Sequence, residues 1–198
     1  MRIVGVIGAG QMGTGIAQTI AQFGIKVQLS DLDLAHAEAG KAKIDAALGK
    51  LVGRGKITPD EAQAALSRVT PVADYAPMAE ADLIIEAATE REEIKRKIFE
   101  AAGKVLRADA IMASNTSSIP ITRMATSSPD PARFIGLHFF NPVPVMGLIE
   151  VIPGLATSAE TVARTRAFAE SLNKQVVQAE DEPGFVVNRI LLPMINEA

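Results

Sequence analysis

The chain has 198 residues, of which 48% are hydrophobic and 22% charged, and a formal net charge of −3. This composition is typical of a globular protein with one main core. Since no run of Lys or Arg forms a basic stripe, we do not expect a nucleic-acid partner. With no Cys and only two His, neither a disulfide framework nor a metal site is expected, and no apolar stretch is long enough to cross a bilayer, so we expect a cytoplasmic protein without a membrane partner.

The first 31 residues predict a strand, a tight turn, a helix and a second strand. Gly8, Gly10 and Gly13 have the spacing that holds the pyrophosphate of a dinucleotide when it stands between a strand and a helix. Asp31 ends the second strand, where a carboxylate binds the adenosine ribose and repels a 2′-phosphate, so NAD is favoured over NADP. The alternative is a glycine turn and a helix-capping Asp in a protein that binds no dinucleotide.

Residues 34–52 and a segment opened by Thr58-Pro59-Asp60-Glu61 predict a helical hairpin inserted between strands. Further strands are predicted at 69–72, 81–86, 110–114 and 133–138, with a helix at 89–106 and a short one from Pro120. Thr89 and Glu92 have the spacing of a capping box for the longer helix. This alternation predicts a Rossmann-type α/β fold: a doubly wound, mostly parallel sheet with ligands at the carboxyl ends of its strands.

The last part of the chain predicts a strand at 147–152, a helix at 158–172, a strand at 175–178 and a terminal helix. The terminal helix, in residues 184–198, is apolar nearly all round, so we expect a partner outside this chain to bury it. We therefore divide the chain into a dinucleotide-binding domain, residues 1–183, and the start of a second domain, residues 184–198.

His138 ends a predicted strand, where an imidazole could take the proton of an alcohol. A strand, turn and strand centred on Pro144 would set His138 opposite Glu150, whose carboxylate could then orient the imidazole and stabilise its protonated form. The alternatives are a structural histidine and a surface carboxylate on an edge strand. Ser117, in a polar cluster after another strand, could donate to a substrate oxygen or simply cap the next helix.

Five blocks, in this order and spacing, resemble the 3-hydroxyacyl-CoA dehydrogenase family. They are Gly8-Ala-Gly-Gln-Met-Gly13, Ile85-Glu-Ala-Ala88, Ala113-Ser-Asn-Thr-Ser-Ser118, Gly136-Leu-His-Phe-Phe-Asn-Pro-Val-Pro-Val-Met146 and Pro183-Gly-Phe-Val-Val-Asn-Arg189. The resemblance implies an enzyme that oxidises a (S)-3-hydroxyacyl-CoA with NAD to a 3-oxoacyl-CoA, and catalyses the reverse reduction. It also implies a short substrate such as 3-hydroxybutyryl-CoA and a place in fatty acid or butanoate metabolism.

By the same resemblance, His138 is the catalytic base, Glu150 is its partner, and Ser117 and Asn188 bind the 3-oxygen of the substrate. The implied cofactor contacts are Gly8, Gly10, Gln11, Met12, Gly13, Asp31, Glu90, Lys95 and Asn115. The basic residues of the hairpin that could approach the phosphates of CoA are Lys50, Arg54 and Lys56.

Members of the family continue into a helical domain that forms a dimer interface and closes over the acyl-CoA, so this chain is expected to stop within the first helix of that domain. A homo-oligomer is expected for the longer protein. One alternative is a non-catalytic NAD-binding fragment or protein of the same fold. Another is a dehydrogenase of the 3-hydroxyisobutyrate or 6-phosphogluconate group, but these rely on a Lys in a differently spaced motif and lack the His-Phe-Phe-Asn-Pro block.

Overall fold

The computed structural model describes residues 1–197. Its strands are β1 (Ile3–Ile7), β2 (Lys26–Ser30), β3 (Val69–Val72), β4 (Leu83–Glu86), β5 (Ile111–Ser114), β6 (Phe134–Phe139), β7 (Leu148–Pro153) and β8 (Gln175–Gln178). Its α-helices are α1 (Gln11–Gln22), α2 (Leu34–Gly53), α3 (Pro59–Ser67), α4 (Glu92–Gly103), α5 (Ile121–Ala125), α6 (Ala159–Ser171) and α7 (Val187–Asn196).

The strands form one eight-stranded sheet in the order β3-β2-β1-β4-β5-β6-β7-β8. Every pair of neighbours is parallel except β6 and β7, which are antiparallel. Strand order reverses beside β1, between β2 and β4, which is where doubly wound sheets open a crevice for ligands. The predicted Rossmann-type fold is confirmed.

The central strands are apolar on both faces because helices cover both sides of the sheet. In β4, Leu83 and Ile85 join the core on one face, while Ile84 joins the core on the other. All three side chains are fully buried. This alternation follows from the two-residue repeat of a strand, and it explains why a continuous apolar run marks each central strand in the sequence.

The inserted hairpin is formed by α2 and α3, and its caps follow the sequence closely. Thr58 accepts a hydrogen bond from the N–H of Glu61, whose carboxylate accepts one from the N–H of Thr58. The capping box predicted at Thr89 is wrong: Thr89 accepts from the N–H of Arg91, and α4 begins only at Glu92 without a side-chain cap. Thr89 and Glu92 have the spacing of a capping box, but the residues before Glu92 form a turn and not the first turn of the helix.

The final helix lies on the surface. Among the residues that the structure describes, α7 has no buried residue, and its burial by a partner outside this chain stays a prediction. Its large apolar side chains are between 45% and 62% exposed; they are Ile190, Leu191, Leu192, Met194 and Ile195. Phe185, just before α7, packs inward instead and is 3% exposed. Within residues 1–197, every helix is too short or too polar to cross a bilayer.

Candidate active site

The carboxyl ends of the central strands open into a cleft of about 500 Å³. The structure brings eight of the predicted site residues to the wall of this cleft. They are Gly10, Gln11, Met12, Glu90, Asn115, Ser117, His138 and Asn188. These residues come from the turns after β1, β4 and β5, from the start of α1, from β6 and from the start of α7. The carboxyl edge of the sheet and the first turns of two helices thus form one site.

The glycines of the turn after β1 let neighbouring backbone segments pack closely and leave space for a ligand. Gly8 has φ +105°, and a Cβ there would lie 2.6 Å from the Cα of Ala88. A Cβ on Gly13 would lie 1.7 Å from the carbonyl oxygen of Gly8. A Cβ on Gly10 would meet nothing within 4 Å. The first and third glycines are thus required by the protein itself, while the second leaves open space for a dinucleotide pyrophosphate.

The N-terminus of α1 points into this open space. Gly10 is its N-cap residue, and no side chain caps the helix. The N–H groups of the first turn are therefore free to bind an anion, and the helix dipole favours a negative charge at the same point. A phosphate group of a dinucleotide fits this end of the cleft.

Asp31 stands at the end of β2, beside the cleft. One of its carboxylate oxygens accepts a hydrogen bond from the N–H of Ala9 at 2.5 Å, and the other accepts from the N–H of Leu32 at 2.7 Å. The carboxylate thereby ties the glycine turn to β2. Each oxygen can still accept a further bond, such as one from a ribose hydroxyl.

His138 and Glu150 are paired across β6 and β7 in the register of the sheet, as predicted. The Nδ1 of His138 lies 2.8 Å from Oε2 of Glu150, and its Nε2 lies 3.1 Å from Oγ of Ser117. Because an ionised carboxylate only accepts, Nδ1 is assigned the proton, and the unprotonated Nε2 accepts from the Ser117 hydroxyl. The imidazole is thus held with its basic nitrogen towards the cleft.

Glu150 is fully buried, yet its environment favours the charged form. Burial by itself would raise the pKa of this carboxyl group. Hydrogen bonds from His138 and from the N–H groups of Val187 and Val186 outweigh that effect and hold the pKa below its usual value. Glu150 is therefore a carboxylate at neutral pH, as a residue that stabilises a protonated imidazole must be.

The loop that carries Ser117 is fixed from two sides. Oε1 of Glu90 accepts hydrogen bonds from the Thr116 hydroxyl, at 2.6 Å, and the Ser117 N–H, at 2.9 Å. The side-chain oxygen of Asn115 accepts from the N–H of Phe139 at 2.9 Å, which leaves its NH₂ group free to donate. Glu90 and Asn115 thus shape the wall that faces the glycine turn.

Helix capping does not explain Ser117, because another residue caps α5. The carboxylate of Asp181 accepts from the N–H of Ile121 at 2.6 Å and from that of Thr122 at 2.7 Å. Asp181 was missed by the sequence analysis. It lies 60 residues from Ile121, and no local pattern connects the two.

Four predicted cofactor contacts do not line the cleft: Gly8, Gly13 and Asp31, which form or adjoin the glycine turn, and Lys95. The side chain of Lys95 is fully buried, with Nζ 2.5 Å from Oε2 of Glu86 and 3.7 Å from Oε2 of Glu90. A direct contact with a cofactor would require the ammonium group to leave Glu86. In this arrangement Lys95 interacts with Glu90, which lines the cleft, and does not line the cleft itself. Glu86, its buried partner, also went unrecognised in the sequence.

The basic residues of the hairpin are not brought to the cleft either. Lys50, Arg54 and Lys56 are exposed at the far end of α2 and in the turn that follows it, and none of them lines the cleft. Their contact with CoA phosphates remains a prediction. Within residues 1–197, no cluster of three or more His, Asp or Glu side chains is arranged to hold a metal ion.

Comparison with protein families gives a match to the model of the 3-hydroxyacyl-CoA dehydrogenase NAD-binding domain over residues 3–182. Among curated proteins, 3-hydroxybutyryl-CoA dehydrogenase of Bradyrhizobium diazoefficiens is 49% identical over 98% of this chain and 67% of the relative. The enzyme of the same name from Mycobacterium tuberculosis is 44% identical over 98% of this chain and 69% of the relative. The chain thus spans about two thirds of the length of these relatives.

Solved structures agree with this assignment. The crystal structure of (S)-3-hydroxybutyryl-CoA dehydrogenase from Ralstonia eutropha matches with a TM-score of 0.97 and 44% identity, covering 100% of this chain and 70% of that one. The Escherichia coli K12 3-hydroxybutyryl-CoA dehydrogenase structure matches with a TM-score of 0.96 and 43% identity, covering 99% of this chain and 42% of that one. The chain belongs to the 3-hydroxyacyl-CoA dehydrogenase family of NAD-dependent oxidoreductases, and residues 3–182 match that family's NAD-binding domain.

Proposed function

We propose that the cleft oxidises the 3-hydroxyl group of a short (S)-3-hydroxyacyl-CoA, with 3-hydroxybutyryl-CoA as the preferred class of substrate, and reduces acetoacetyl-CoA in the reverse direction. The observation that carries the proposal is that His138, hydrogen-bonded to the buried Glu150, lines the same cleft as the glycine turn. The names of the 49% and 44% identical relatives support the choice of substrate.

In the proposed reaction, the proton of the 3-hydroxyl group goes to Nε2 of His138 and the O–H electron pair becomes the second bond of the C3 carbonyl. NAD, when bound, accepts the hydride that leaves C3. Glu150 keeps the opposite nitrogen of the imidazole protonated and stabilises the imidazolium that forms. Ser117 and Asn188 bind the reacting oxygen. In this way the chain supplies proton transfer and alignment.

The proposed cofactor contacts follow the geometry of the cleft. The glycine turn, from Gly8 to Gly13 with Gln11 and Met12, holds the pyrophosphate, and Asp31 holds the adenosine ribose. Glu90 and Asn115 lie in the wall that would face the nicotinamide half. Lys95 is proposed as a support for Glu90, since its ammonium group is buried against Glu86.

The remaining parts of the proposal concern the whole protein. We assign residues 1–183 to the NAD-binding domain and residues 184–198 to the beginning of a second, helical domain, which is supported by the end of the family match at residue 182. The exposed apolar face of α7 supports a buried role for it in a homo-oligomer, a dimer by analogy with the family. A role in cytoplasmic fatty acid or butanoate metabolism is consistent with such a substrate.

Oxidation of NADH in the presence of acetoacetyl-CoA tests this function. We expect turnover with acetoacetyl-CoA and NADH, and much less with NADPH, because Asp31 repels a 2′-phosphate. A longer 3-oxoacyl-CoA in the same assay measures the preference for chain length. NADH binding without turnover on any 3-oxoacyl-CoA would favour the alternative, a non-catalytic NAD-binding protein of the same fold.

A further inference from the structure

Glu150 makes hydrogen bonds in two directions. Its Oε2 faces Nδ1 of His138 at 2.8 Å. Its Oε1 accepts from the N–H groups of Val186, at 3.0 Å, and Val187, at 2.9 Å, where α7 begins. The next residue in α7 is Asn188, which lines the cleft beside Ser117 and His138. One buried carboxylate therefore joins the imidazole to the helix that carries the fourth side chain of the site.

We infer that Glu150 is a positioning residue for Asn188 as well as for His138, so that the base and an oxygen-binding group are set by the same carboxylate. The roles of His138 and Asn188 in this inference rest on the proposed function. The physical link between Glu150 and α7 rests on the hydrogen bonds alone.

The first turn of α7 has little else to hold it. Its N-cap residue, Val186, offers no side-chain cap, and none of the described residues of α7 is buried. A carboxylate at this end satisfies two N–H groups that would otherwise lack partners, and it interacts favourably with the helix dipole. The orientation of Asn188 is therefore expected to depend on Glu150 more than on packing.

Packing beneath α7 also links the start of this helix to His138. Phe185 is buried, and its ring centroid lies 5.6 Å from that of His138. Phe185 has φ +50° and Gly184 has φ +80°, so the chain makes a sharp turn into α7 directly over the imidazole. A displacement of Glu150 would therefore change the positions of both His138 and the start of α7.

Amide hydrogen exchange of the 198-residue chain, followed by NMR, tests the link without any need for activity. In Glu150→Ala, the N–H groups of Val186 and Val187 should exchange faster by about tenfold or more, since each loses its acceptor. The side-chain amide signal of Asn188 should shift in the same variant. His138→Gln is the matched control, and it should leave the two N–H groups protected because Glu150 is still in place.

The N–H groups of Ile121 and Thr122, which Asp181 holds, serve as an internal reference for general loosening of the fold. In Glu150→Ala their exchange should be unchanged. Unprotected N–H groups at Val186 and Val187 in the original chain, or equal protection in Glu150→Ala, would overturn the inference.

Glu150→Gln keeps the test decisive if the alanine variant fails to fold. A carboxamide has one accepting and one donating end, so it cannot accept from His138 Nδ1 and from α7 at once. Either the α7 N–H groups stay protected and the ¹⁵N signals of His138 report the other tautomer, or the tautomer is kept and α7 loses protection. A variant with both features unchanged would refute the link. A protein that shows the link but has no dehydrogenase activity would instead refute the proposed function.

Discussion

The two nitrogens of His138 have different neighbours, and this difference determines what the imidazole can do. Nδ1 is held by Glu150, and Nε2 faces the hydroxyl group of Ser117 in the cleft. A substrate hydroxyl that reaches Nε2 would also reach Oγ of Ser117, because the two atoms are 3.1 Å apart. Ser117 can then keep one hydrogen bond to the reacting oxygen while the proton moves to His138.

The glycine turn offers a pair of substitutions with opposite expected effects. Gly13→Ala puts a Cβ 1.7 Å from the carbonyl oxygen of Gly8, so we expect overpacking to lower the free energy of unfolding by about 2 kcal/mol or more. Gly10→Ala meets nothing within 4 Å, so its stability should be unchanged. The same Cβ would stand where a pyrophosphate approaches, so Gly10→Ala should bind NADH more weakly.

Thermal unfolding and titration of NADH fluorescence measure these two effects separately. A destabilised Gly10→Ala variant, or one with unchanged NADH affinity, would contradict the assignment of the open space at Gly10 to the cofactor.

The residues of the site differ in how far the sequence could predict them. His138 and Glu150 could be paired because they stand at equal distances from Pro144 in a strand, turn and strand, and the register of β6 and β7 follows. Asp181 could not be found, because its bond to Ile121 is a contact between distant segments. The burial of Lys95 could not be predicted either, since the spacing of residues along a helix does not show whether a long side chain is buried or reaches the cleft.

At the scale of elements, one ammonium group binds two carbonyl groups of the loop between β6 and β7. Nζ of Lys174 donates to the carbonyl oxygens of Val143, at 2.8 Å, and Met146, at 2.7 Å. Burial lowers the pKa of Lys174. The same loop carries Asn141, which lines the cleft and accepts a hydrogen bond from Gln11 at the start of α1. Lys174 therefore supports one side of the cleft from outside it.

Lys174→Met removes the ammonium group and keeps most of the apolar stem. We expect the free energy of unfolding to fall by about 1 to 3 kcal/mol, since two carbonyl groups lose a charged donor. Lys97→Met, at an exposed position of α4, is the matched control and should change stability little. Chemical denaturation measures both. Equal stability of the two variants would show that the ammonium group does not hold the loop.

The elements that the sequence predicted best are those with a local signal. The first strand, turn, helix and strand follow from apolar runs and glycine spacing, and the hairpin follows from Thr58, Pro59 and Glu61. The start of α4 was misplaced because Thr89 bonds within a turn rather than to the helix. Local patterns thus located the elements, but tertiary contacts decided where α4 begins.

At the scale of the whole molecule, α7 presents an exposed apolar face. Five large apolar side chains of this helix are 45% to 62% exposed. We expect the 198-residue chain to self-associate through them, because burying apolar surface is favourable. The double variant Leu191→Asp with Ile195→Asp should reduce this association.

Sedimentation velocity over a range of concentrations measures the expected change. Phe23→Asp is the control, since Phe23 is 47% exposed at the end of α1 and lies outside α7. Monomeric behaviour of the unsubstituted chain at high concentration, or an equal effect of Phe23→Asp, would contradict the role given to α7.

The central claim is that His138 takes the hydroxyl proton while C3 of a 3-hydroxyacyl-CoA loses its hydride to NAD. The most direct measurement is the transfer of deuterium from C3 of labelled (S)-3-hydroxybutyryl-CoA to NAD, followed by mass spectrometry. We predict deuterated NADH from the unsubstituted protein and from His36→Gln, whose histidine is exposed, and a rate about 10² to 10⁴ times lower from His138→Gln. Equal transfer by His138→Gln and His36→Gln, or none by the unsubstituted protein, would contradict the account.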